Sequence, residues 1–455
     1  MNKSKKLDLL TCNLFTGILI FAFPLIVSHL LQNLFNLTDL AVIGAYSSDA
    51  SIGAIGSTTM IVNLFLGFAT GFGSAISAKV AKRLGANDKE GAHHVIHSSI
   101  AFTLIFGIII SAIGIGLSRP LLILINTKEV FLEKATIYLM VYLAGLPATM
   151  VYNALSGVYN AAGKTVKPLV YLFIAGLANV GFDFLFVLGI KLDVLGVALG
   201  SMISQYIMAI LIIISLTIEK TAYKVKLNHI KVYRNYGKEL SSFLLLAGVQ
   251  NSLFYVANMF VQLGVNQLTE IEITGISISV ALDNLCYFVM DAFYLACSSF
   301  IGQNYGAKNK KRIRDTYLIS IGYAVFVGYL FGTIYIIFGR QIYSGFTQNE
   351  AVIDAAMRRT FIMGLCYGVS ALMDGTTAAA RGLGKTFVPL VIIMLFSFVF
   401  RIIWIFTIFQ MHKTIESLYL LYVVSWLLSA IFEITYFIYV YKKNTASFGA
   451  LAIKK

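Results

Sequence analysis

Asn179 and Asp183 stand four residues apart inside an apolar run from about 166 to 190, so they share one face of a helix. An ionisable side chain inside a membrane helix costs about 2.5–3.5 kcal/mol on insertion scales and normally marks an ion or substrate path. A second polar stripe, Gln32, Asn36 and Asp39, follows Pro24 in the first apolar run. Such a stripe needs a partner or water, although a carboxylate at the outer end of that run is also satisfied by solvent. Asp39 and Asp183 fall at comparable depth, and Ser201 lies in the next run. Two carboxylates, an amide oxygen and a hydroxyl form a hard-oxygen set suited to a small cation such as Na+, or to a shared proton. The alternative is a structural hydrogen-bond network. Pro24 removes a helical hydrogen bond, so a kink is expected there, either as part of a gate or as a static bend.

Asp291, Asp374 and Glu433 are further acids in apolar surroundings, each placed either to line a cavity or to pair with an arginine or backbone amide. Asn153 precedes Asp374 by 221 positions, which favours one shared cavity-facing position. His93, His94 and His97 have helical metal spacing but no acid or cysteine joins them, so they read as interfacial side chains. Cys12, Cys286, Cys297 and Cys366 have neither disulfide nor metal spacing and read as buried small residues. Two Gly-Lys-Thr triplets lack the earlier glycine of a phosphate-binding loop, since Val158 and Ala379 stand in its place. No nucleotide site or cofactor is expected, and the driving force should be an ion gradient. The dispersed acids do not form the cluster that a membrane-embedded transferase requires.

The elements that hold these residues are membrane spans. Hydrophobic residues make up 58% of the 455-residue chain and charged residues 12%, with mean hydropathy +0.81. That profile excludes a soluble globular protein and leaves no room for a separate soluble domain. Twelve spans are predicted near 14–40, 52–80, 93–117, 130–160, 167–189, 193–217, 240–266, 272–300, 314–339, 351–379, 387–410 and 416–441. The first is too long for a cleavable signal peptide. The net charge of +14 comes from lysines and arginines in alternate connections, which is the cytoplasmic-loop bias and not a nucleic-acid site. Lys3, Lys5 and Lys6 and the basic connection 219–238 place both termini in the cytoplasm. Arg340, Arg358 and Arg359 run against this pattern.

The chain repeats itself. Leu84-Gly85-Ala86 returns as Tyr305-Gly306-Ala307, and Gly163-Lys164-Thr165 as Gly384-Lys385-Thr386, both 221 positions later. Two pairs with one offset imply a parallel duplication. The expected architecture is therefore an all-α polytopic membrane protein, with twelve transmembrane helices in two six-helix lobes related by internal duplication. The lobes are 1–218 and 239–442, the linker is 219–238, and a basic tail spans 443–455. Repeat interfaces in transporters place the substrate in a central cavity.

Taken together, the Pro24–Asp39 segment and the paired signatures at 152–163 and 380–386 resemble the multidrug and toxic compound extrusion (MATE) family of secondary transporters, over nearly the whole chain. The resemblance implies export of amphipathic, often cationic, compounds in exchange for Na+ or H+. In the branch with an amino-terminal-lobe cation site, the matching ligands are Asp39, Asn179, Asp183 and Ser201, with serine in place of threonine. Gln32 and Asn153 match its cavity positions. Two departures stand out: Asn160 replaces an arginine retained at Arg381, and the seventh span has no acid between Glu239 and Glu270, where the other branch needs one. The expected protein is a monomeric antiporter of a bacterial plasma membrane, binding small molecules by alternating access, with ion occupancy at Asp39 and Asp183 bending the first helix at Pro24. A lipid-linked precursor flippase of the same superfamily is the rival. It calls for basic cavity residues, whereas the conspicuous intramembrane charges here are acidic.

Overall fold

A computed structural model describes residues 7–448; Lys3, Lys5, Lys6 and the end of the tail from 449 lie outside the described residues. Among the described residues every regular element is helical. They are α1 (Leu14–Tyr46), α2 (Asp49–Gly85), α3 (Lys89–Leu124), α4 (Glu129–Ala144), α5 (Leu146–Ala161), α6 (Val166–Asp183) and α7 (Asp193–Ile218). There follow α8 (Arg234–Val265), α9 (Glu270–Gly306), α10 (Lys310–Ser344), α11 (Glu350–Gly382), α12 (Phe387–Ile393), α13 (Phe400–Phe406), α14 (Ile408–Met411) and α15 (Ile415–Thr445). π-Helical turns at Phe184–Gly189 and Met394–Val399 continue α6 and join α12 to α13.

Ten of the described helical stretches are long and apolar enough to cross a membrane, and α4 with α5 forms an eleventh span bent by 43°. Gly145 and Pro147 explain the bend: the Pro147 ring cannot continue the hydrogen-bond ladder from the preceding turn. α11 is the twelfth. Its charged residues lower its hydropathy, but most of its length is buried against α9, α10 and α15, Arg359 and Arg381 included, while Glu350, Asp354 and Arg358 cluster near its first turns. Exposed side chains such as Ile108, Phe173, Phe326 and Ile337 supply the apolar outer surface that lipid requires.

The duplication reaches the backbone. Asn87 and Lys308, 221 positions apart, both have left-handed φ values (54° and 58°), as do Gly163 and Gly384 (73° and 79°). One residue further, Asp88 accepts from the Gly91 amide at 2.8 Å and Asn309 from the Arg312 amide at 3.1 Å, capping α3 and α10 alike.

The described chain forms two compact units. Unit 1 holds 24–252, with α5 packed on α2, α3 and α7 at its centre. Unit 2 holds 7–23 and 253–448, with α11 in the corresponding position. α1 thus divides between units at Pro24, and α8 divides after Ser252. In unit 2 the Arg312 guanidinium donates to the Cys12 carbonyl at 2.6 Å, and Phe21 meets Phe300 edge-on at 5.7 Å. In unit 1 the first part of α8, up to Ser252, is tied by Lys79–Glu239 at 2.6 Å and by Ser252 donating to the Leu64 carbonyl at 3.1 Å.

The connection 219–238 is docked on α3. His97 accepts from the Lys226 amide at 2.9 Å, and Ser98 from the Tyr233 amide at 3.0 Å. His97 is buried beneath this connection, and no described His, Cys, Asp or Glu residues form a group able to hold a metal. All four cysteines are free, with Cys12 half-buried.

Candidate functional site

Four side chains from three helices of unit 1 converge near the end of α1. Asp39 lies seven residues before the end of that helix and is buried. Asn179 and Asp183 occupy the last turns of α6, where the π-helical turn begins, and Ser201 faces them from α7. The Ser201 hydroxyl donates to Asp39 Oδ2 at 3.2 Å, and the Asn179 amide donates to Asp183 Oδ1 at 3.3 Å. The two carboxyl groups lie within direct reach of each other. Asp39 Oδ1 and Asp183 Oδ2 have no hydrogen-bond partner among the described residues.

Gly200 makes this approach possible. A Cβ at that position would stand 2.5 Å from Asp183 Oδ1, so any side chain would displace the carboxyl. Tyr138 and Tyr142 of α4, stacked at 5.9 Å between ring centroids, face the acids. Beyond them, Lys134 bridges α4 to Asp193 of α7 at 2.7 Å and to Ser51 of α2 at 2.9 Å. These contacts tie α4 to α2 and α7 beside the site. Two carboxylates so close, away from water, cannot both remain ionised without a counter-ion. The arrangement can hold a proton, or a small cation on oxygens of Asp39, Asp183, Asn179 and Ser201.

The other expected residues are dispersed. Gln32 and Asn36 are exposed on α1. Asn153 of α5 is half-buried and donates to the Thr149 carbonyl at 2.9 Å. Pro24 lies inside a continuous helix, and its carbonyl accepts from the Ser28 hydroxyl at 2.8 Å. Asp291 (exposed) and Asp374 (half-buried) belong to unit 2, where they interact electrostatically with each other and with Arg381.

Sequence reasoning overlooked the basic side of unit 2. Arg359, Arg381 and Arg401 are all buried, so the emphasis on acids was incomplete. Arg359 pairs with Asp283, which also accepts from Tyr367, and donates to Ser279 at 2.9 Å. Arg340 pairs with Glu350 and Asp354, and Arg358 with Glu416 and Glu272. The three arginines that break the charge pattern are thus each neutralised locally. Their partners lie up to 86 residues away in the chain, and only the fold brings them together.

The MatE family model matches residues 24–185 and 247–407. A probable multidrug resistance protein of Bacillus subtilis, YoeA, is 22% identical over 382 residues, covering 82% of either chain. The multidrug export protein MepA of Staphylococcus haemolyticus is 22% identical over 378 residues, covering 82% of this chain and 83% of its own. The solved structure of a MOP-superfamily transporter from Pyrococcus furiosus superposes with a TM-score of 0.84 at 20% identity, over 99% of this chain and 100% of that one. With a duplicated twelve-helix fold and a family match over both repeats, the chain belongs to the MatE family and is a multi-span membrane transporter, not an enzyme.

Proposed function

We propose that the protein is a secondary active multidrug efflux antiporter, exporting amphipathic, often cationic, compounds in exchange for Na+ or H+. The observation that carries this reading is the Asp39–Asp183 pair, buried in unit 1 with one unpartnered oxygen on each carboxyl. Asn179 and Ser201 complete the coupling site. Gln32, Asn36 and Asn153 line the substrate path in the first lobe, and Asp291 and Asp374 in the second. The lobes comprise 1–218 and 239–442, joined by the cytoplasmic connection 219–238, in a monomer with both termini in the cytoplasm. Occupancy of the acids shifts α1 between conformations through Pro24, and its effect is limited to its differential affinity for the two states. Gradient energy reaches the substrate by alternating access.

Unit 2 supports placing the coupling site in the first lobe. Arg359 is the repeat equivalent of Tyr138, 221 positions on, and its guanidinium already neutralises Asp283. A built-in cation leaves no demand for a mobile one at Asp283.

The test is efflux of a fluorescent organic cation from proteoliposomes under separately imposed Na+ and H+ gradients, for wild type, Asp39→Asn and Asp183→Asn. Folded variants that lose gradient-driven efflux support the site. Unchanged efflux in both would remove it, and no efflux from wild type would make the lipid-precursor flippase the reading to pursue.

A further inference from the structure

Unit 2 contains an acid that the coupling site does not use. Glu433 of α15 is fully buried, and neither Oε1 nor Oε2 has a hydrogen-bond partner among the described residues. An isolated carboxylate in such a place carries a heavy desolvation cost, whereas a neutral carboxylic acid carries only that of a polar group.

Polar side chains lie on the helices around it. Ser425, Ser429 and Glu433 are spaced by four and lie on one buried face of α15. Arg401 of α13 donates to the Ser425 hydroxyl at 3.2 Å, and the hydroxyls of Ser429 and Ser397 are 3.3 Å apart. The Thr377 hydroxyl of α11 lies beside Glu433. Ser397 belongs to the π-helical turn Met394–Val399, and its hydroxyl also reaches Met373 Sδ at 3.8 Å, next to Asp374. π-Turns within helices concentrate at functional sites, because they leave the backbone able to change register. The ionisable groups facing Glu433 are Asp374 and Arg381 of α11, Tyr317 of α10, and Tyr436 of its own helix.

We propose that Glu433 is a proton-binding site of unit 2, loaded in the conformation described here. Loading forms one O–H bond on the carboxyl. Release to water leaves a carboxylate whose charge Arg381 opposes. The occupancy stands on this geometry alone, and only its exchange during transport rests on the antiporter reading.

Infrared spectroscopy of the purified full-length protein tests the occupancy, using natural and 13C-glutamate-labelled wild type with E433Q. A protonated-carboxyl C=O band is expected at neutral pH, moving on labelling, absent from E433Q and lost on alkalinisation. The band should persist in Asp39→Asn and Asp183→Asn, so a failed coupling site leaves this result intact. Wild type with no label-sensitive band at neutral pH, or a band that survives E433Q, overturns the proposal. Should E433Q not fold, labelled wild type decides alone through the presence or absence of that band.

Discussion

The Arg359 guanidinium engages both oxygens of Asp283, and the residue 221 positions earlier, on the equivalent helix of unit 1, is Tyr138 facing Asp39 and Asp183. One repeat thus fills with a fixed cation the region that the other leaves to a phenol beside two acids. Removing one partner of a buried pair strands the other's charge, at a cost of about 3–5 kcal/mol. Asp283→Ala should lower the thermal midpoint in detergent sharply. Replacing both partners with leucine should restore most of that loss, because no charge is left stranded.

Gly200→Ala tests the fit of the coupling site. The new methyl would displace the Asp183 carboxyl, and overpacking of this kind costs about 1–3 kcal/mol. The ion concentration for half-maximal efflux should rise about five- to hundredfold, with folding retained.

In the proposed coupling site Ser201 contributes a hydroxyl, which a threonine would also supply. Ser201→Ala removes the hydrogen bond to Asp39, worth about 1.5–3 kcal/mol if the acceptor is charged. Ion-dependent efflux should weaken accordingly, while Ser201→Thr should behave as wild type. Equal behaviour of both variants would remove Ser201 from the site.

At the end of α7, burial works against ionisation of Glu219, but hydrogen bonds from Lys167 and Lys164 hold its carboxyl below the usual glutamate value. A lowered folded value gives stabilisation that is complete above the ordinary value of 4.5 and lost as the pH falls through the folded one. Wild type should therefore lose thermal stability on acidification below about pH 4.5. Glu219→Gln should lack that component of the slope.

Pro24 tests the helix. Pro24→Ala restores an amide hydrogen inside α1 and should slow efflux while leaving thermal stability unchanged or raised. Drug-accumulation assays in cells expressing matched amounts of protein would measure the difference.

Local pattern revealed much of this. The apolar runs and the 221-residue offset are periodic features, and the fold reproduces them down to left-handed Asn87 and Lys308. Asn179 and Asp183 share a face because of helical spacing alone. Tyr138 carried no such signal, since a tyrosine in an apolar run needs no explanation until Asp39 and Asp183 are found in front of it. The bend at Gly145 went unread although Pro147 signals it, because α4 and α5 together have the hydropathy of one span. Arg401 went unnoticed for a different reason. Its partners Ser425 and Asn258 are uncharged, and they come from α15 and α8.

The division of α1 at Pro24 and of α8 after Ser252 bears on how such a chain arose. A single-repeat ancestor folded in this way would present its leading arm to a second copy and receive that copy's arm in return. It would be an obligate domain-swapped homodimer, and fusion of the two genes would make the exchange intramolecular. The fused halves would then inherit each other's missing segment, so neither could survive as a separate fragment without its complement.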